Sequence, residues 1–195
     1  MDAIRVEQTQ DVLVRTAAVI AAQRQFAHRL RQRTVPDPLT GLPVRSLLID
    51  RLERALAAAG NETGRLAVLS CNLDGLTELE ATRGRAVAEA ARAEAAGRLV
   101  TAVRQGDVVA RISSQTYVLL CPAIHVVADA DGIARRVAAA FDRPLRPLRD
   151  VEHRVRISVG VAVSGRASTP ESLVAAANEA MTRIRHERQG TGRHG

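Results

Sequence analysis

Two β-rich runs, Asp107-Val-Val-Ala-Arg-Ile112 and Tyr117-Val-Leu-Leu-Cys121, are separated by only Ser113-Ser-Gln-Thr116. A connection this short sends the second run back alongside the first, so the two must form an antiparallel hairpin. That sets the chain direction within any sheet the protein builds. The chemistry of the turn is unusual. Tight hairpin turns draw on Gly, Asn or Asp, which tolerate positive φ, and this one has none of them.

A core can form around that hairpin, because 46% of the 195 residues are hydrophobic. That suits one domain with an appendage rather than a disordered chain. The formal charge of +7 invites a polyanion partner, but all 28 basic residues are Arg and none is Lys. Such uniformity marks a compositional bias, which weakens the argument from charge. Only Phe26, Tyr117 and Phe141 are aromatic, too few for a base-stacking platform. Nucleic acid is not an expected partner. Cys71 and Cys121 sit in apolar runs and read as buried free thiols. The five His residues have no metal-site spacing, so no metal and no resident cofactor are expected. No signal-peptide pattern opens the chain. The longest uncharged run, Ile112 to Ala128, is broken by Pro122, so no membrane contact and a cytoplasmic location are expected.

Residues 3–33 carry a helical pattern without Gly or Pro, which ends at Pro36 and Pro38. Val12, Val19 and Phe26 recur every seven residues, with Thr16, Gln23 and Leu30 between them. This seam suits either a coiled-coil homodimer, a protein partner, or packing on the chain's own domain. Beyond the prolines the pattern predicts helix over 44–58, strand over 66–73, helix over 85–104, the hairpin, helix over 126–141, strand over 155–163 and helix over 170–186. That order implies an α/β sandwich, a central mixed sheet flanked by helices. Residues 1–34 read as a signalling-type helix, 35–189 as the globular domain and 190–195 as a basic tail.

Asp37-Pro-Leu-Thr-Gly-Leu-Pro-Val-Arg45, directly after a helix, resembles the DxLTGLxNR opening of the GGDEF family, the diguanylate cyclases, with Val44 in place of Asn. The similarity continues in order through residues 69–76, 104–112, 157–163 and 176–185, so it covers 37–189 and implies the nucleotidyl-cyclase-like fold. In the family, two GTP molecules are joined into cyclic di-GMP by attack of a ribose 3′-hydroxyl on an α-phosphate, a reaction that needs divalent metal. The signature hairpin Gly-Gly-Asp/Glu-Glu-Phe corresponds here to Ser113-Ser114-Gln115-Thr116-Tyr117. The resemblance places Asn72 and Gln115 where metal-binding carboxylates are expected, and Thr116 at a further acidic position. Amides and hydroxyls are poor ligands for such hard cations. Ser113 and Ser114 put a Cβ where the backbone should approach the nucleotide. Asp74 shares a strand face with Asn72 and reads as a strand-end hydrogen-bonding residue.

The resemblance also places Glu80 and Glu89 at base-reading positions, Thr77 at a Lys position and Arg185 at a phosphate-binding Lys position. Glu89 can accept from guanine donors, whereas Glu80 cannot donate to O6. Arg183, Arg185 and Arg188 also read as cations at a helix C-terminus. Arg104-Gln-Gly-Asp107 matches the family's RxxD product-inhibition site, five residues before the hairpin motif, and Arg136 is a candidate second arginine. Arg offers a fork to phosphate and Asp an acceptor to guanine, although the pair equally suits a local ion pair. The sequence therefore implies a catalytically inactive GGDEF-like domain. Three roles follow: binding cyclic di-GMP through Arg104, Asp107 and Arg136, acting as a dimerisation scaffold without nucleotide, or, furthest behind, residual cyclase activity. The vestigial nucleotide site would be Ser113, Ser114, Glu80, Glu89 and Arg185.

Overall fold

The structure, a computed structural model, describes residues 35–60 and 63–191. The chain runs α1 (Arg45–Ala59), β1 (Ala67–Asp74), α2 (Leu76–Arg83), α3 (Arg85–Ala102), β2 (Val108–Arg111), β3 (Thr116–Cys121), α4 (Val127–Ala139), β4 (Leu145–Leu148), β5 (Val151–His153), β6 (Arg156–Val163) and α5 (Pro170–Thr191). The seam over residues 3–33 lies outside the described residues. Gly190 and Thr191, expected to begin a tail, are the last residues of α5.

The hairpin forms as its short connection requires, with Val108 opposite Leu120 and Arg111 opposite Tyr117. Strand β1 runs between β3 and β6, so Asn72 faces Thr116 on one side and Ser158 on the other. The order is β2-β3-β1-β6, and every neighbouring pair is antiparallel, which corrects the expected mixed sheet. Strand–helix–strand units do produce parallel strands here: β2 runs parallel to β1, and β6 parallel to β3. Each such pair is separated by a strand inserted between its members, so parallel strands never become ladder neighbours.

Alternation along β1 divides the core. Leu69, Cys71 and Leu73 point to one side, where they join Leu76, Leu79, Leu99, Ile133 and Val137 of α2, α3 and α4. Val68 points to the other, with Leu48 and Leu52 of α1 and Leu173 and Ala177 of α5. Helix α3 buries Ala88, Ala91, Ala95 and Ala96, and such small side chains bring its backbone close to its neighbours. Cys71 and Cys121 are free and buried; burial pushes both thiols up, Cys121 to about 12. No helix among the described residues is long and apolar enough to cross a membrane.

Two elements escape the sequence reading. Helix α2 is short, bracketed by Gly75 (φ 101°) and Gly84 (φ 85°), and buries only Leu76 and Leu79. The β4–β5 hairpin contains Pro144 just before it and Pro147 within it, which argue against a central strand. As a separate two-stranded sheet it needs no continuous ladder at those positions.

Candidate functional site

At the tip of the hairpin, Ser113 replaces backbone freedom with a side-chain bond. Its Oγ accepts from the N–H of Thr116 at 3.1 Å and of Gln115 at 3.3 Å, while Ile112 N–H donates to Thr116 O at 2.9 Å. This is a serine turn, and no non-glycine residue among the described ones has positive φ. The turn therefore closes without the Gly, Asn or Asp that such turns favour. The Gln115 amide reaches across to donate to Thr77 Oγ1 at the start of α2, and Leu73 N–H donates to Gln115 O at 2.9 Å.

The end of β1 lies beside this turn. Asn72 is 4% exposed and its Nδ2 donates to Asp74 Oδ1 at 2.9 Å. The Arg185 guanidinium from α5 lies 2.9 Å from the same oxygen, as a charge contact that is not aligned as a hydrogen bond. A divalent cation is implied by the family resemblance, and the donor set here does not fit one. Asp74 is the carboxylate that closes β1, and it already faces a guanidinium and an amide N–H. Gln115 turns its N–H to Thr77. Among the described residues no three His, Cys, Asp or Glu gather where a metal ion could be held.

The sequence motif at 37–45 has a mechanical role in the structure. Arg111 Nη1 lies 2.8 Å from both oxygens of Asp37, and its Nε donates to Ser113 O at 3.2 Å. Asp37 also accepts from Thr40 N–H and Oγ1–H at 2.8 and 2.7 Å. Burial raises the Asp37 pKa, but the bonds from Thr40 and Arg111 and the Arg111 charge outweigh it and hold the carboxyl below its usual range. The start of the domain is thus tied through one arginine to the hairpin turn.

Glu80 and Glu89 are brought to the α2–α3 corner, each against an arginine. Arg85 Nε lies 2.6 Å from Glu89 Oε1 on the surface, and Arg92 Nη2 lies 2.5 Å from Glu80 Oε2. Arg92, which the sequence reading missed, is 6% exposed, and Tyr117 Oη–H donates to its carbonyl at 3.2 Å. An arginine twelve residues after Glu80 carries no motif. Only the α2–α3 turn at Gly84 brings the two together.

Arg104 and Arg136 line one cleft of about 500 Å³ between the end of α3 and α4, with Thr101, His125 and Asp129. Arg104 donates to Ala123 O, and Arg136 Nε donates to Ala102 O at 2.5 Å. Asp107 is placed differently from the two arginines. Its side chain is 1% exposed and accepts from Arg104 N–H at 3.2 Å and Nε at 3.4 Å. Geometrically it holds Arg104 in position and does not line the cleft.

Comparison with known proteins agrees with this architecture. The family profile "Diguanylate cyclase, GGDEF domain" matches residues 34–191. The bifunctional diguanylate cyclase/cyclic di-GMP phosphodiesterase MucR of Pseudomonas aeruginosa is 32% identical over 170 residues, covering 86% of this chain and 24% of that protein. Diguanylate cyclase TpbB of the same species is 30% identical over 158 residues, covering 80% of this chain and 36% of its own length. This chain thus spans well under half the length of these curated relatives. A solved structure of TpbB comprising only its GGDEF domain superposes with a TM-score of 0.73 at 28% identity, over 78% of this chain and 89% of that one. The profile match spans residues 34–191, which include the DxLTGLxxR motif at 37–45 and the β2–β3 hairpin: this chain belongs to the GGDEF family, related to the diguanylate cyclases.

Proposed function

We propose that this domain serves cyclic di-GMP signalling without itself converting GTP to cyclic di-GMP. The observation that carries the reading is the strand end itself, where Asn72 and Gln115 supply amides and Asp74 is engaged by Arg185 and Asn72. Removing metal ligands costs several kcal/mol of transition-state stabilisation, roughly two or more powers of ten in rate for each ligand lost. Incubation with GTP and Mg²⁺ or Mn²⁺ is expected to yield no cyclic di-GMP above a no-protein control. Restoring Gly-Gly-Asp-Glu-Phe at 113–117 alone is expected not to rescue turnover, because Asn72 stays neutral. Metal-dependent product from the wild-type protein would instead favour residual cyclase activity, which is what its named relatives carry out.

A second reading rests on the cleft. Two arginines, each with guanidinium donors beyond those spent on carbonyls, line one concavity, and that is a fit for the phosphates of a cyclic dinucleotide. Asp107 contributes by holding Arg104. Calorimetry with cyclic di-GMP is expected to show binding that weakens as salt rises, and Arg104→Ala is expected to lower affinity tenfold or more. Equal binding by Arg104→Ala would leave Arg104 and Asp107 as a local ion pair.

A further inference from the structure

The two outermost strands of the sheet differ in how their outer edges are covered. Strand β2 has only four residues, and its Arg111 N–H donates outward to Pro43 O at 2.9 Å, so the segment before α1 occupies that edge. Strand β6 has eight residues in unbroken register with β1, and no described segment pairs with its other side. The direction of its backbone groups follows from its end. Ser164 N–H donates to Leu66 O at 2.8 Å, so residue 164, and by alternation 158, 160 and 162, face β1. Ile157, Val159, Val161 and Val163 therefore turn their backbone groups outward, and Arg188 Nη1 donates to Ile157 O from that side. The N–H and C=O groups of Val159, Val161 and Val163 have no partner among the described residues. Exposed edges are ordinarily protected by short length, a charge, a proline or a bulge, and Val159-Gly-Val-Ala-Val163 has none of these.

We infer that the outer edge of β6 docks an extended segment of a partner protein, one with alternating β-branched residues flanked by acidic ones. Strand addition supplies main-chain bonds to Val159, Val161 and Val163, and the same three side chains, half-buried against the core on one face, offer β-branched neighbours to alternate residues of the incoming strand. Charge sets the flanks. Residues 157–165 are uncharged, and the nearest charged residues on either side are exposed arginines, Arg154 and Arg156 before them and Arg166 after. A strand with carboxylates at both ends complements this edge, and one with lysines does not. A second copy of this chain fits less well: pairing about a two-fold axis at Val161 brings Arg156 of one copy against Arg166 of the other, and like charges directly opposite are destabilising. This surface is independent of any nucleotide site, so catalysis and dinucleotide binding do not bear on it.

The test uses the full chain and a synthetic peptide, Asp-Glu-Val-Thr-Val-Thr-Val-Glu-Asp, with binding read by fluorescence anisotropy and amide exchange by NMR. In the free protein the amides of Val159, Val161 and Val163 are expected to exchange fast and those of Ser158, Gly160 and Ala162 slowly; peptide is expected to slow the first set. Replacing the four acids of the peptide by Lys is expected to weaken binding at least tenfold, and N-methylating its five core amides to abolish it. Val161→Pro removes an outward N–H without touching the β1 ladder and is expected to cost at least tenfold. If that variant does not fold, the exposed double reversal Arg156→Glu with Arg166→Glu decides, and it is expected to exchange the preference between acidic and Lys peptides. No binding at millimolar peptide, equal binding of the acidic and Lys peptides, or undiminished binding by folded Val161→Pro would overturn the proposal. So would slow exchange at Val159, Val161 and Val163 without peptide: in a monomer it would mean that the chain's own segment fills the edge, and in a concentration-dependent dimer that a second copy does.

Discussion

Gly160→Ala is expected to unfold the domain or to shift its denaturation midpoint further than any single cavity-forming change would. A Cβ built on Gly160 stands 2.0 Å from Met181 N, 2.3 Å from Ala177 O and 2.6 Å from Met181 Cα. All three are backbone atoms of α5, so no side-chain rotation relieves the clash, and the whole helix must lift from β6. Overpacking by a methyl usually costs about 1–3 kcal/mol, and contacts with a rigid helix backbone belong above that range. Against a total stability of about 5–15 kcal/mol this is a large fraction. Lifting α5 also uncovers Ala177 and Leu173 and draws Arg185 away from Asp74. Urea denaturation followed by circular dichroism measures the effect. A variant with the wild-type midpoint would mean that α5 does not sit on β6 as described.

The tie between Asp37 and Arg111 should produce the second large loss. The two side chains are 18% and 14% exposed and meet at 2.8 Å, so truncating Arg111 to Ala strands a mostly buried carboxylate and also releases Ser113 O. Breaking a fully buried pair costs about 3–5 kcal/mol; this partly exposed pair should cost about 2–3 kcal/mol. The carboxyl of Asp37 is held below its ordinary value, so its contribution is present above pH about 4 and lost as pH falls through the lowered folded value. The stability gap between wild type and Arg111→Ala is therefore expected to be full at neutral pH and to narrow in acid below pH 4. A double-mutant cycle with Asp37→Ala isolates the pair itself. Additive effects of the two single changes, or a gap that does not depend on pH, would reduce the tie to a surface contact. Because the same arginine grips the hairpin turn, hydrogen exchange at Ser113 to Gln115 should accelerate in the variant.

Particular residues show why some of this could be read from the chain and some could not. The hairpin was legible because four residues permit only one direction of return, and α5 was legible because Pro170 follows a capping Ser-Thr pair: Thr169 Oγ1 accepts from Ser172 N–H at 3.1 Å. Antiparallel pairing throughout was not legible, since the order of strands depends on where each helix crosses and periodicity carries no record of that. Helix α2 was missed because eight residues between two glycines give too short a window for a 3.6-residue period.

The candidate site divides along the same line. Residue types at fixed places in a motif, Ser113, Gln115, Asn72 and the Arg104–Asp107 spacing, were set by the sequence alone, and with them the lack of carboxylates at the hairpin. Which groups meet was decided by tertiary structure. Asp74 meets Arg185 across about a hundred residues, Asp37 meets Arg111 across 74, and Glu80 meets Arg92 around a glycine turn. The same structure turned Asp107 inward, because the strand that follows Gly106 (φ 98°) faces its side chain toward the backbone of Arg104 rather than into the cleft. Local sequence fixes what a residue can donate or accept. Only the packing of sheet and helices fixes which partner satisfies it and which is left for a ligand.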